Sequence, residues 1–142
     1  MENGIMNRLL KFIVPFFLYS INSLSAQITC DTVYSSSSVE ELAEFGVSQK
    51  EFQKTLNTKI IPLIGEEMKE SKTIIPSLNM LFTISNQGDI IKVEFPELKS
   101  SKKLQENLAK EFIALGKCKP ATIKGNAVCS EFGYTIGCIK WQ

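Results

Sequence analysis

The stretch Gly116 to Cys129, GKCKPATIKGNAVC, sets two cysteines inside a run of lysine, glycine and proline. Residues of these types could form a reactive thiol, a metal site or a phosphate-binding loop, or could simply splice the chain together. The rest of the sequence weighs among these. There is no histidine, which removes the usual general base, the Ser-His and Cys-His nucleophile pairs and most zinc sites. The four cysteines, Cys30, Cys118, Cys129 and Cys138, contain no C-x-x-C pair, the spacing that a four-cysteine zinc site or a thioredoxin-like dithiol uses. GKCKPATIKG lacks both the G-x-x-x-x-G-K-S/T pattern and the strand-loop-helix setting of a phosphate loop. Carboxylates are adjacent at Glu40-Glu41 and Glu66-Glu67, but sequence neighbours on a helix do not share a face, so neither pair reads as hydrolytic. We therefore expect no catalytic residues, no metal, no cofactor and no small-molecule substrate.

The cysteines take their meaning from the compartment. Arg8 and Lys11 precede an apolar run from Phe12 to Leu18, and a polar stretch then ends in Ser23, Ser25 and Ala26. This is the layout of a signal peptide over residues 1–26, cleaved after Ala26. The run is shorter than the ~20 apolar residues that a spanning helix needs, so an uncleaved anchor is the lesser reading. All four cysteines follow the cleavage site and would meet an oxidising environment. Two disulfides are expected, and three pairings remain open.

Removing residues 1–26 leaves 116 of 142 residues, enough for one domain with one modest core. The mature charges balance, which supplies no general argument for nucleic acid. They are unevenly spread, with five lysines against nine acids from Gln27 to Asp89 and nine lysines against five acids from Ile90 to Gln142. Two solvated faces explain this at least as well as an acidic partner does.

Several elements would position these residues. QITCDTVYSSSS, residues 27–38, is polar and aperiodic and reads as a flexible lead-in, with order expected from Val39. Ser48 and Glu51 have the spacing of a capping box. Phe52, Leu56 and Ile60 follow at helical spacing, and Pro62 limits a first helix to Ser48–Ile60. Gly65 to Lys72, bounded by Pro62 and Pro76, reads as a connector that could be a short helix or a loop. Leu78, Met80, Phe82 and Ile84 alternate, as do Ile91, Val93 and Phe95 across the turn Asn86–Asp89, which predicts a β-hairpin with one buried face. Ser100 or Ser101 caps a second helix carrying Leu104, Leu108, Phe112 and Leu115, ended by Gly116. Val128 to Trp141 alternates again, with Phe132, Tyr134, Ile136 and Cys138 on one face, and makes a third strand. Gly133 and Gly137 bare its other face, either to admit another chain or as ordinary bulge glycines. The fold class is α+β: a small three-stranded antiparallel sheet with two helices packed on one face.

The order of elements and several strings resemble the C-terminal domain of TonB proteins, in a divergent, exported version covering about Val39 to Ile139 of the 39–142 domain. Ala43-Glu-Phe-Gly-Val-Ser48 stands where the family has P-E-F-P-G-G. LNMLFTISNQGDIIKVEF resembles the family's strand-turn-strand at Phe82, Ile84, Gly88, Ile90 and Val93. Cys118-Lys-Pro120 through Lys124-Gly125-Asn-Ala-Val128 resembles its loop before the final strand, with Cys118 in place of a tryptophan. The chain departs from the family in lacking the double glycine, the proline-rich spacer and the uncleaved membrane helix of a full TonB.

The resemblance implies a periplasmic or cell-envelope module whose last strand accepts an extended segment of a protein partner, an outer-membrane receptor or another envelope protein, by β-strand addition. On this sequence that edge falls on Glu131, Phe132, Gly133, Tyr134, Thr135, Ile136, Gly137, Cys138 and Ile139. The alternative is a disulfide-stabilised secreted protein that self-associates as a dimer and has no transport role. Under either reading Cys118 and Cys129 are structural and could tie the loop to the sheet or to the Cys30 lead-in.

Overall fold

The computed structural model describes residues 30–137. Cys138, Ile139 and the expected signal peptide lie outside the described residues. The class is α+β, with helical layers packed on a three-stranded antiparallel sheet and two smaller antiparallel ribbons beside it.

The chain enters through a short 3-10 turn at Ser36–Ser38 and a two-residue strand β1, Glu44–Phe45. Ser48 then opens α1, Gln49–Thr55, with the full capping box: its hydroxyl accepts from the Glu51 amide at 3.2 Å, and its own amide donates to the Glu51 carboxylate at 3.1 Å. Pro62 does not end this helix, contrary to expectation. The chain passes through one π-helical turn, Leu56–Ile60, into α2, Ile61–Ser71, so the expected connector is helix. The amide of Ile61 reaches back five residues to the Leu56 carbonyl. Pro62 follows at the start of α2, where a missing N–H costs least.

The apolar spacing explains the wide turn. Phe52, Leu56, Ile60 and Ile64 are all buried and recur every four residues. Four residues overshoot a 3.6-residue turn by about 40°, so a regular helix would swing this stripe off the core. One wide turn absorbs the drift. Lys72, in the left-handed region at φ 56°, terminates α2.

The hairpin forms as read. β2, Leu78–Ile84, pairs antiparallel with β3, Ile90–Glu94. Ser85 organises the turn: its buried hydroxyl accepts from the amides of Gln87 and Asp89 at 3.2 and 3.0 Å. The pairing shifts register between Thr83 and Ile84, so Ile84 meets Ile90 while Thr83 meets Lys92. Ile91 is the extra residue of this bulge and stands exposed, whereas Ile90 is buried. The expected inward set Ile91, Val93 and Phe95 is thereby corrected to Ile90, Val93 and Phe95.

Ser101 caps α3, Lys102–Ile113, through the Leu104 amide. It also ties α3 to α2, because its amide and hydroxyl both donate to the Glu67 carboxylate at 3.1 and 2.9 Å. Leu104, Leu108 and Phe112 are buried beneath α3.

The expected loop after Gly116 is instead two ribbons. β4, Cys118–Lys119, pairs with β1. β5, Ala121–Ile123, pairs with β6, Asn126–Val128, across Lys124 and Gly125, both at positive φ (51° and 76°) as a tight hairpin turn requires. Val128 therefore belongs to β6, and the third strand of the main sheet is β7, Ser130–Ile136. The sheet order is β3-β2-β7, with β7 on an edge.

The core lies between β2 and the helices. Phe82 is fully buried at its centre, stacked on Phe132 at 5.2 Å and edge-on to Phe112 at 5.3 Å and Phe45 at 5.1 Å.

Candidate partner-binding edge

β7 pairs with β2 in unbroken register from Leu78↔Ile136 to Ile84↔Ser130. No bulge interrupts it, so the bulge reading falls for Gly133, while Gly137 lies past the end of β7. A Cβ on Gly133 would touch only the Met80 carbonyl, at an ordinary 3.8 Å, and one on Gly137 would touch nothing. Among the described residues the space above these residues is open. Along the strand Glu131, Phe132 and Ile136 are half-buried, while Gly133, Tyr134 and Thr135 are exposed, as is Gly137, which was expected in the strand and instead follows its end. Phe132 and Ile136 pack on the core. Tyr134 lies edge-on to Phe52 at 5.2 Å and Phe45 at 6.1 Å, which makes an aromatic shelf beside the edge.

In an antiparallel pair alternate residues direct both backbone groups at the partner strand and the others direct them away. The Glu131 amide donates to the Tyr34 carbonyl at 2.8 Å, and the Tyr34 amide donates to the Cys129 carbonyl at 2.9 Å. Odd-numbered residues of β7 thus present their backbone outward. Tyr34 occupies the first outward position as a parallel bridge opposite Ser130. Beyond it, among the described residues, the amides of Gly133 and Thr135 have no hydrogen-bond acceptor. Thr135 also bonds sideways, its hydroxyl donating to the Asn79 side chain at 2.8 Å.

The lead-in is held at successive points. Cys30 is bonded to Cys129, but the second expected disulfide is not formed at Cys118, which is a free, buried thiol; Cys138 lies outside the described residues. After Tyr34, the amides of Glu40 and Glu41 donate to the Thr122 carbonyl at 2.9 and 3.3 Å, and β1 pairs with β4. Residues 30–45 thus run as a strap along residues 118–131, with backbone pairing beginning ahead of Val39. Sequence reasoning missed Tyr34, because a serine-rich aperiodic segment carries no periodic signal; the signal that could have found it was the Cys30 pairing.

The basic stretch is neutralised from the acidic half. Lys117 pairs with Asp89 at 2.5 Å and Lys119 with Glu41 at 3.5 Å. The Glu40 carboxylate accepts from the Lys124 amide at 2.8 Å and so caps the β5–β6 turn. Two of the cations, Lys117 and Lys119, and the Lys124 amide that would help cradle a phosphate are thus already met by carboxylates.

Cys118 is buried at the start of β4, and burial pushes its thiol above the usual value, with Asp89 adding to this and a hydrogen bond from Gly46 opposing it. Such a thiol is a poor nucleophile. Two glycines clamp the segment: a Cβ on Gly88 would lie 2.1 Å from the Cys118 carbonyl, and one on Gly46 2.0 Å from the Lys117 carbonyl. The hairpin turn, β1 and β4 meet backbone to backbone here.

Comparison of the chain with protein-family models, with curated proteins and with solved structures finds no match. The reading of the site rests on its own geometry. Among the described residues no group of three His, Cys, Asp or Glu could hold a metal ion. No helix among them is long and apolar enough to cross a membrane.

Proposed function

We propose that this chain is an exported, non-catalytic module of the cell envelope that binds an extended segment of a protein partner by adding it as a strand to the free edge of β7. The observation that carries this reading is the row of outward backbone groups at Gly133 and Thr135, left without a partner among the described residues on the β7 edge of the sheet. The Cys30–Cys129 bond supports export, because structural disulfides persist in oxidising compartments. The layout resembles TonB C-terminal domains, and a partner of outer-membrane transport is the class that this likeness suggests.

The test exploits the alternation of the ladder. Thr135→Pro removes an outward amide without taking a backbone bond from β2; the hydroxyl bond to Asn79 that it also loses is lost equally in Thr135→Val. It should abolish capture of an envelope partner while leaving the thermal unfolding midpoint within a few degrees, and Thr135→Val should capture normally. Capture that survives the proline variant overturns strand addition. Light scattering over a concentration series checks the same edge for self-association: a dimer lost in Thr135→Pro would make a second copy the partner.

A further inference from the structure

The strap does more than lead into the domain. Residues 31–38 are all exposed, so no buried side chain presses Tyr34 onto β7. Its attachment there consists of two backbone hydrogen bonds and the Cys30–Cys129 disulfide, which joins the strap to the residue whose carbonyl accepts from Tyr34. The next backbone anchor comes only at Glu40. Beyond Tyr34 the outward row on β7 continues through Gly133 and Thr135 in the same line. The disulfide is therefore the one covalent hold on a strand-like cover over the first part of an edge whose second part is open.

We propose that the Cys30–Cys129 disulfide is a redox-controlled latch on this edge: oxidised, it keeps Tyr34 seated and confines an incoming strand to Gly133 and Thr135; reduced, it frees the outward groups of Cys129 and Glu131 as well. The chemistry is thiol–disulfide exchange with a dithiol reductant. One thiolate of the reductant attacks a sulfur of the bond, and the other cysteine leaves as thiolate and takes a proton. The second reductant thiolate then resolves the mixed disulfide. Two electrons pass to the protein, which ends with two thiols, while the reductant ends as a disulfide. Cys30 is the half-buried partner and Cys129 the buried one, so attack falls on the Cys30 sulfur. Cys118, buried at β4, stays outside the exchange. The consequence for binding rests on the strand-adding role proposed above, but the latch itself does not. The experiment reads the latch without any partner.

Amide hydrogen exchange resolved by residue compares the oxidised protein, the same protein after treatment with dithiothreitol, and Cys30→Ser. In the oxidised protein the Glu131 amide should be protected and those of Gly133 and Thr135 should exchange rapidly. On reduction, and in Cys30→Ser, Glu131 should exchange at least 100-fold faster and approach the rates of Gly133 and Thr135. Phe132 and Tyr134, whose amides face β2, should remain protected as an internal control. Unchanged protection of Glu131 overturns the latch, because something other than the disulfide then seats the strap. Loss of protection at Phe132 and Tyr134 together with Glu131 also overturns it, since the bond would then be a staple for the whole sheet. Neither result bears on whether Thr135→Pro loses a partner.

Discussion

Gly88 shows at the scale of one residue how much of this fold hangs on backbone contact. It sits at φ 84° with the Cys118 carbonyl where a side chain would begin. Gly88→Ala should cost about 2–3 kcal/mol by combining a left-handed conformation with a clash against backbone that cannot move away. Gly125→Ala, at φ 76° but with nothing within 4 Å, should cost only the conformational part, about 1 kcal/mol. Chemical denaturation of the two variants measures the difference, and equal losses would remove the close approach as its cause. Cys118 offers a second test at this scale. Its folded-state thiol is raised above the ordinary value of 9.0, chiefly by burial. As pH climbs through that ordinary value the unfolded chain gives up a proton that the folded chain keeps, so stability should be full below it and fall as pH rises beyond it. Cys118→Ser should flatten that alkaline decline in denaturation curves, and in the native wild-type protein the thiol should resist iodoacetamide until denaturant is added.

At the scale of elements, the first helix separates what local signals specify from what they do not. The Ser48 capping box was legible because it is a contact between residues three apart in sequence. Ser48→Ala should lower stability by about 1 kcal/mol, measured by denaturant titration, with Glu51→Gln costing less. The passage of the helix through Pro62 was not legible: a proline in a helical pattern ordinarily marks an end, and only burial of the whole stripe from Phe52 to Ile64 makes the π-helical turn worth adopting. Ile64→Ala, at a site with no solvent exposure, should cost about 2–5 kcal/mol, a loss that an exposed connector would not show. The hairpin was read correctly in place and face, apart from the bulge at Ile91. A bulge is decided by how β3 meets its neighbours, and alternation counted along one strand cannot see it.

For the whole molecule, one aromatic centre joins elements far apart in sequence. Phe82 touches Phe45 of β1, Phe112 of α3 and Phe132 of β7. Near-ultraviolet and far-ultraviolet circular dichroism should therefore report one coincident unfolding transition. Phe82→Ala should lower both signals together, at a cost of about 3–5 kcal/mol. The uneven charge distribution also acquires a meaning at this scale, since Asp89 and Glu41 of the acidic half pair with Lys117 and Lys119 of the basic half, and Glu40 accepts from the Lys124 amide.

Periodicity and capping by themselves determined the two helical regions, the hairpin, the half-buried last strand and the lack of histidine-based chemistry, because each rests on residues near one another in the chain or on composition alone. Only the tertiary structure decided that Cys30 meets Cys129, that Tyr34 covers the start of β7, and that Lys119 and the Lys124 amide of GKCKPATIKGNAVC meet Glu41 and Glu40 of the strap. Those are contacts between residues as far as 99 positions apart. What selects them is the packing of a strap onto an edge by backbone hydrogen bonds, which every residue type can make and which leave no pattern in the sequence.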